Sequence, residues 1–257
     1  MTQIESTWRY GQVKSNALNV RREPSRKARR WNNVWPMNRL VLVKPGGVDG
    51  WYETLYRGEP AYVMAEFIKL LDDPVPNSIV ERMMFMALPD NGRSKSIYFN
   101  GYNGKWCHRF ADWLAMNAGM PKEMIPDTSN CGKGIVWFAS DENSGGFYFK
   151  NTDHKARMIR NYHIENCTPD ELTEAENNYV PMPGDYIYFR WKNAAKSVNV
   201  SHVGIVAAVD GCVTTWEGNV GGKVVTRSFA LDDAQIVGYG HPRYSATNTH
   251  TCNCAAA

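Results

Sequence analysis

Ser201-His202-Val203-Gly204-Ile205-Val206-Ala207-Ala208-Val209-Asp210-Gly211-Cys212-Val213-Thr214-Thr215-Trp216-Glu217-Gly218-Asn219 is two β-forming runs around one turn signal. Asp-Gly favours the two-residue type I′ turn between antiparallel strands. With Asp210 and Gly211 as that turn, Val209 faces Cys212, Gly204 faces Glu217 and His202 faces Asn219. Side chains alternate sides along a strand, so His202, Gly204, Glu217 and Asn219 project from one face, and Gly204 leaves an open space among them. A histidine then has a carboxylate on its diagonal and a carboxamide across from it. That arrangement fixes an imidazole tautomer while the other ring nitrogen faces a nucleophile. A half-exposed strand histidine with polar neighbours fits the same pattern, so the hairpin alone does not decide between them.

The candidate nucleophile is Cys107. The sequence predicts a helix from about Cys107 to Ala118, with Phe110, Trp113, Leu114 and Ala118 on one stripe and Gly119 as its stop. Cys107 therefore sits at a helix start, where unpaired N–H groups and the positive end of the dipole favour a thiolate. A cysteine on a helix also serves as a small core hydrophobe, and only a partner base distinguishes the two. A metal site from Cys107, His108 and His202 is disfavoured, because adjacent helical residues point about 100° apart. No cofactor or metal is expected.

Working outward, Pro183-Gly184-Asp185 turns the chain into a strand at 186–191, and β pattern continues at 202–209, 212–217, 223–229 and 236–240. Upstream, Ser78-x-x-Glu81 matches a capping box ahead of Ile79, Val80, Met83, Met84, Ala87 and Leu88, a helical face. Helices followed by an antiparallel sheet make an α+β domain. Before it, the linker Asp72-Asp73-Pro74-Val75-Pro76-Asn77 closes a region of short strands (17–21, 40–43, 50–55, 61–63) with turns at Gly46-Gly47 and Arg57-Gly58. A small all-β barrel is expected there. The boundaries drawn are 7–72 for the barrel, 77–244 for the α+β domain and 245–257 for a disordered tail holding Cys252 and Cys254.

At 257 residues the chain is long enough to bury a core without disulfide staples, and its 43% apolar and 21% charged residues are those of an ordinary folded protein. Lys and Arg number 29 against 26 Asp and Glu, a net +3 that argues against nucleic acid as partner. The run 203–209 is far too short to span a membrane, and no signal peptide opens the sequence, so either export takes another route or a leader has been removed. Six cysteines lack the pairing of a structural zinc site. Arg21, Arg22, Arg26, Lys27, Arg29 and Arg30 crowd one short loop; it is either a solvated face or an attractor of anionic polymers. Cys131-Gly132-Lys133-Gly134 lacks the earlier glycine of a phosphate loop, and Asp141 to Gly146 lacks the ligands of a calcium loop and reads as a turn.

Four blocks in order, Lys105-Trp106-Cys107-His108-Arg109-Phe110-Ala111-Asp112-Trp113, Pro183-Gly184-Asp185, Ser201 to Val206 and Trp216-Glu217-Gly218-Asn219, resemble the CHAP family of cysteine, histidine-dependent amidohydrolases and peptidases. The resemblance covers about residues 77–244 and implies a papain-like α+β fold, related to NlpC, in which a helix bearing the cysteine packs on a sheet bearing the histidine. It implies Cys107 as nucleophile, His202 as base, Glu217 and Asn219 as their polar partners, and the amide bonds of bacterial peptidoglycan as substrate, cut by an amidase or endopeptidase acting at the cell envelope or outside the cell. Trp106, Tyr102 and Trp216 are the candidate substrate contacts, and Tyr98 or Tyr102 a candidate second oxyanion donor. The stretch from about 141 to 180 is longer than the family pattern. Leu18-Asn19-Val20-Arg21-x-x-Pro24-Ser25, Gly50-Trp51-Tyr52 and Tyr62-Val63 similarly resemble a bacterial SH3-like wall-targeting domain. The alternatives are a related thiol acyltransferase and a catalytically inactive wall-binding protein; a monomer is expected.

Overall fold

The computed structural model describes residues 7–94, 99, 102–140, 144–150, 179–194 and 199–244. The chain divides into two compact units, one comprising 1–106, 112–122 and 218–225, the other 107–111, 123–217 and 226–257. The expected tail, Cys167, Tyr98 and most of the 141–180 stretch lie outside the described residues.

The first unit holds a seven-stranded antiparallel sheet: β1 (Arg9–Val13), β2 (Leu18–Arg21), β3 (Arg30–Trp35), β4 (Leu40–Pro45), β5 (Trp51–Tyr56), β6 (Glu59–Met64) and β7 (Ile68–Leu70). Its order is β3-β2-β6-β5-β4-β1-β7. The β5–β6 hairpin turns at Arg57-Gly58, both at positive φ (54° and 77°), which brings Tyr56 opposite Glu59 as a two-residue turn requires. Every strand sends a residue into one core, including Trp35 from β3 and Ile68 from β7, so the sheet wraps around it. The expected barrel is nonetheless not closed, because β3 and β7 end the ladder and do not pair with each other. β7 has only three residues, all spent on pairing with β1.

Helix α1 (Ile79–Ala87) begins as the capping box predicts, with the Ser78 hydroxyl accepting the Glu81 N–H at 3.2 Å. Its buried side carries Ile79, Met83, Met86 and Ala87, while Leu88, expected on that face, is exposed where the chain enters a 3-10 turn. Phe85 packs on Tyr10 of β1, ring centroids 4.5 Å apart. The surprise on this helix is Arg82, fully buried, with its guanidinium donating to the carbonyls of Ala118 (2.7 Å), Pro76 (2.7 Å) and Asn77 (2.8 Å). Burial lowers its pKa to about 10, which leaves it charged at neutral pH.

The six-stranded sheet has the order β12-β11-β10-β9-β13-β8, formed by β8 (Ser144–Phe149), β9 (Tyr186–Phe189), β10 (His202–Val209), β11 (Cys212–Val220), β12 (Lys223–Ala230) and β13 (Ile236–Pro242). Its core gathers Ile187, Phe189, Val206, Val213, Ile236 and Tyr239. Helix α2 (Cys107–Asn117) starts where predicted and ends at Ala118, with Gly119 at φ 101°. A further helix, α3 (Cys131–Ser140), was not expected. Two glycines in its first turn hide it in the sequence, yet Asn130 caps it, its side-chain oxygen accepting the Lys133 N–H at 3.0 Å. The turn expected at 141–146 is corrected too, since Ser144-Gly145-Gly146 opens β8.

Asp185 of the Pro183-Gly184-Asp185 turn anchors this sheet. Its buried carboxylate accepts the Tyr179 hydroxyl (2.7 Å) and the Met182 N–H (2.8 Å) and pairs with His241 Nδ1 of β13 at 2.6 Å.

Replacing Arg82 with alanine leaves three carbonyls, the buried one of Ala118 among them, without their donor. The Arg82→Ala chain is expected to lose about 3 kcal/mol of stability in urea unfolding, and Arg82→Lys to recover only part of it, because a single ammonium cannot reproduce the planar fork.

Candidate active site

Cys107 is the first residue of α2, 2% exposed, and His202 is the first residue of β10, 5% exposed. The hairpin delivers the partner. Ile205 pairs with Trp216 and Val206 with Thr215, the register read from the sequence, although the turn itself differs. Val209 pairs with Val213, not Cys212, and a bulge between Val206 and Ala208 restores the expected phase. The two departures cancel, and Glu217 reaches His202, Oε2 to Nε2, at 2.8 Å.

Gly204 is not the open space expected. A Cβ there would lie 2.7 Å from Glu217 Cγ and 3.0 Å from the Trp216 carbonyl, so the glutamate side chain already fills the place a larger residue would need. This is how a carboxylate with no exposed surface passes across its neighbouring strand to the histidine.

Glu217 is held on both oxygens. Oε1 accepts the Thr215 hydroxyl at 2.6 Å and Arg227 Nε at 3.0 Å; Oε2 accepts His202 and Arg227 Nη2. The Arg227 guanidinium in turn lies over the Trp191 ring (4.8 Å to its centroid) and the Phe229 ring (5.1 Å), and Trp191 flanks His202 at 5.2 Å. Burial acts to raise the Glu217 pKa, but the bonds from His202, Arg227 and Thr215 outweigh it and hold the carboxyl below its usual range.

With Nε2 committed to Glu217, Nδ1 is the His202 nitrogen left for sulfur. The Cys107 thiol is pushed well below its ordinary pKa, first by a hydrogen bond from Cys131 and, against burial, by the hydrogen bond and charge of His202 and the field of His108. Burial acts to lower the His202 pKa, but its bonds to Cys107 and Glu217 win and raise it. The two shifts favour the thiolate–imidazolium pair.

Around the pair, His108 is fully buried and shares a 2.8 Å hydrogen bond with the Tyr188 hydroxyl of β9. The backbone of α3 passes so close that a Cβ at Gly134 would run into the His108 ring and the Tyr188 hydroxyl, which explains a glycine inside that helix. Cys131, first residue of α3, places its Sγ 3.8 Å from Cys107 Sγ.

Of the expected site residues, the structure brings Cys107, His202 and Glu217 together. Asn219, two residues further along β11, is half-buried at φ 67° and falls in the other compact unit. Trp106 and Trp216 are 1% and 7% exposed, and the half-buried Tyr102 gives its hydroxyl to the Lys105 carbonyl at 3.2 Å. Sequence reasoning missed Arg227, Thr215 and the place of Cys131. For Arg227 the signal points the wrong way. A two-residue turn at Gly221-Gly222 would pair Glu217 with Thr226 and put Arg227 on the opposite face, whereas the observed Thr214–Ser228 side-chain bond (3.1 Å) sets Arg227 beside Thr215. Among the described residues no group of His, Cys, Asp and Glu is arranged to hold a metal, and no helix is long and apolar enough to cross a membrane.

The pH profile of any reaction at this site should be a bell whose acid limb is Cys107 and whose alkaline limb is His202. Cys131→Ala removes the leading bond to the thiolate and moves the acid limb up by about one pH unit; Glu217→Gln removes the charge that sustains the imidazolium and moves the alkaline limb down by about as much. The profile of kcat/KM for each variant checks both signs.

Residues 97–219 match the model of the CHAP domain family. No curated protein matches the chain. Among solved structures, NlpC2 from Trichomonas vaginalis aligns at 18% identity over 92% of this chain and 72% of its own, with a TM-score of 0.37. NlpC1 from the same organism aligns at 17% identity over 92% and 69%, with a TM-score of 0.31. The matched stretch carries Cys107, His202 and Glu217, the three side chains that the structure brings together.

Proposed function

We propose that the chain hydrolyses amide bonds of bacterial peptidoglycan, as an N-acetylmuramoyl-L-alanine amidase or an endopeptidase, with Cys107 as nucleophile and His202 as base. The observation that carries this reading is the buried sequence of contacts from Cys107 through His202 to Glu217, the last held at 2.8 Å. In the first step the Cys107 thiolate attacks the amide carbonyl, and the imidazolium protonates the leaving amine. Water activated by the neutral imidazole then hydrolyses the thioester. The Cys107 N–H, at the first position of α2 and without a helical acceptor, is suited to the oxyanion.

The catalytic part is placed in residues 77–244 and a wall-binding part in 7–72, with the reaction at the cell envelope or outside the cell. The wall-binding reading draws support from the loop after β2, where Arg26, Lys27 and Arg29 are exposed. Arg21 is instead tied to the Ala28 carbonyl at 2.8 Å, and Arg22 lies 3.8 Å over the Trp31 ring, so part of the basic run stabilises its own loop.

Mass spectrometry of muropeptides released from purified sacculi tests the reaction. New amine and carboxyl ends are expected, and the position of the cut names the bond. Acyl groups appearing on an added amine would instead identify a transferase, and no release at all an inactive wall binder. Cys107→Ala should lower the rate by on the order of 10⁴-fold while leaving circular dichroism unchanged. For the basic loop, replacing Arg26, Lys27 and Arg29 together with glutamine should weaken co-sedimentation of the full chain with sacculi and flatten its salt dependence. Unchanged binding at every salt concentration would make the run a solvated face.

A further inference from the structure

Hydrolysis consumes the chemistry of one sulfur, yet two stand at the site. Cys107 and Cys131 are both free thiols, each the first residue of a different helix, with their sulfurs 3.8 Å apart. A disulfide bond is about 2.05 Å long, so closing the pair asks for an approach of only about 2 Å. Nothing bulky intervenes, since the two sulfurs already share a hydrogen bond. Cys107 is buried but Cys131 is half-buried, which gives a small oxidant a side from which to enter. The start of a helix favours thiolate at both positions.

We propose that Cys107 and Cys131 form a redox pair in which a hydroperoxide oxidises Cys107 and Cys131 resolves the product as a disulfide. This inference rests on the reading of Cys107 as an ionised nucleophile. The Cys107 thiolate attacks a peroxide oxygen; an S–O bond forms, the O–O bond breaks, and the departing hydroxide takes the His202 proton as water. The Cys131 sulfur then attacks the sulfenic sulfur of Cys107; an S–S bond forms, the S–O bond breaks, and hydroxide leaves as water with the Cys131 proton. Two thiols give up two electrons, and one hydrogen peroxide becomes two waters. The disulfide withdraws the nucleophile reversibly and shields it from the irreversible sulfinic and sulfonic acids.

The full chain is treated with hydrogen peroxide, its remaining thiols are alkylated, and it is digested without reductant for mass spectrometry, while sacculus hydrolysis is followed before and after dithiothreitol. A peptide pair joined through Cys107 and Cys131 is expected, with hydrolysis falling to the level of Cys107→Ala and returning on reduction. In Cys131→Ser the same treatment should leave Cys107 as sulfinic acid, and dithiothreitol should restore nothing. The proposal is overturned if oxidised wild type carries sulfinic acid on Cys107 beside an alkylated Cys131, if Cys107 joins another cysteine, or if Cys131→Ser recovers as fully as wild type. The cross-linked peptide is read without any substrate. Its appearance in a chain that hydrolyses nothing would support the redox pair and overturn the hydrolase reading alone.

Discussion

A carboxylate with no exposed surface, Glu217, is the constraint around which the six-stranded sheet is arranged. An ionised carboxyl removed from water is tolerated only when each oxygen is supplied with donors, and the supply here comes from three directions. Thr215 reaches from the same strand, Arg227 from the neighbouring β12, and His202 from β10. His202 and Arg227 are fixed by two different registers, so a slip in either pairing leaves a buried charge undersupplied. The aromatic rings of Trp191 and Phe229 complete the arrangement by lying against the Arg227 cation, which is one-third exposed on its outer side.

The same sheet contains a second imidazole–carboxylate pair, His241 with Asp185, shorter than the first and equally buried. Its surroundings give it a different role. Asp185 spends its other oxygen on Tyr179 and the Met182 N–H, tying the turn before β9 to β13, and Tyr244 donates to the Gly184 carbonyl at 2.6 Å beside it. No sulfur stands at this imidazole among the described contacts. What makes His202 different is the helix start beside it, and the position of α2 is in turn secured by the His108–Tyr188 bond one residue beyond Cys107.

Much of this was legible in the sequence because the relevant signals are local. Strand β10 begins and ends where alternation and the Asp-Gly signal place it, and α2 starts at the cysteine because apolar periodicity starts there. The turn was misread by one residue, and the bulge near Ala207 compensates for it, so Glu217 met His202 as expected. What stayed hidden depends on pairs distant in sequence. Arg227 lies on a strand whose glycine turn suggests the other phase. Cys131 sits on a helix masked by Gly132 and Gly134, and those glycines make sense only once His108 and Tyr188 are seen against Gly134. In the first unit, β1, β3 and β7 escaped notice because Arg30-Trp31-Asn32-Asn33 reads as a polar continuation of a basic loop and the others are short.

Gly204 carries a consequence for how such a sequence can vary through descent. The methylene of Glu217 occupies the volume that a side chain at 204 would claim, so the two positions share one allotment of space. Enlarging residue 204 evicts the carboxylate; shortening residue 217 to aspartate withdraws the carboxyl from its three donors and leaves a void over the glycine. Neither position can drift alone. A residue without a side chain at 204 goes with a long acid at 217, and the glycine between two β-branched neighbours is therefore as much a part of the acid's identity as the carboxylate itself.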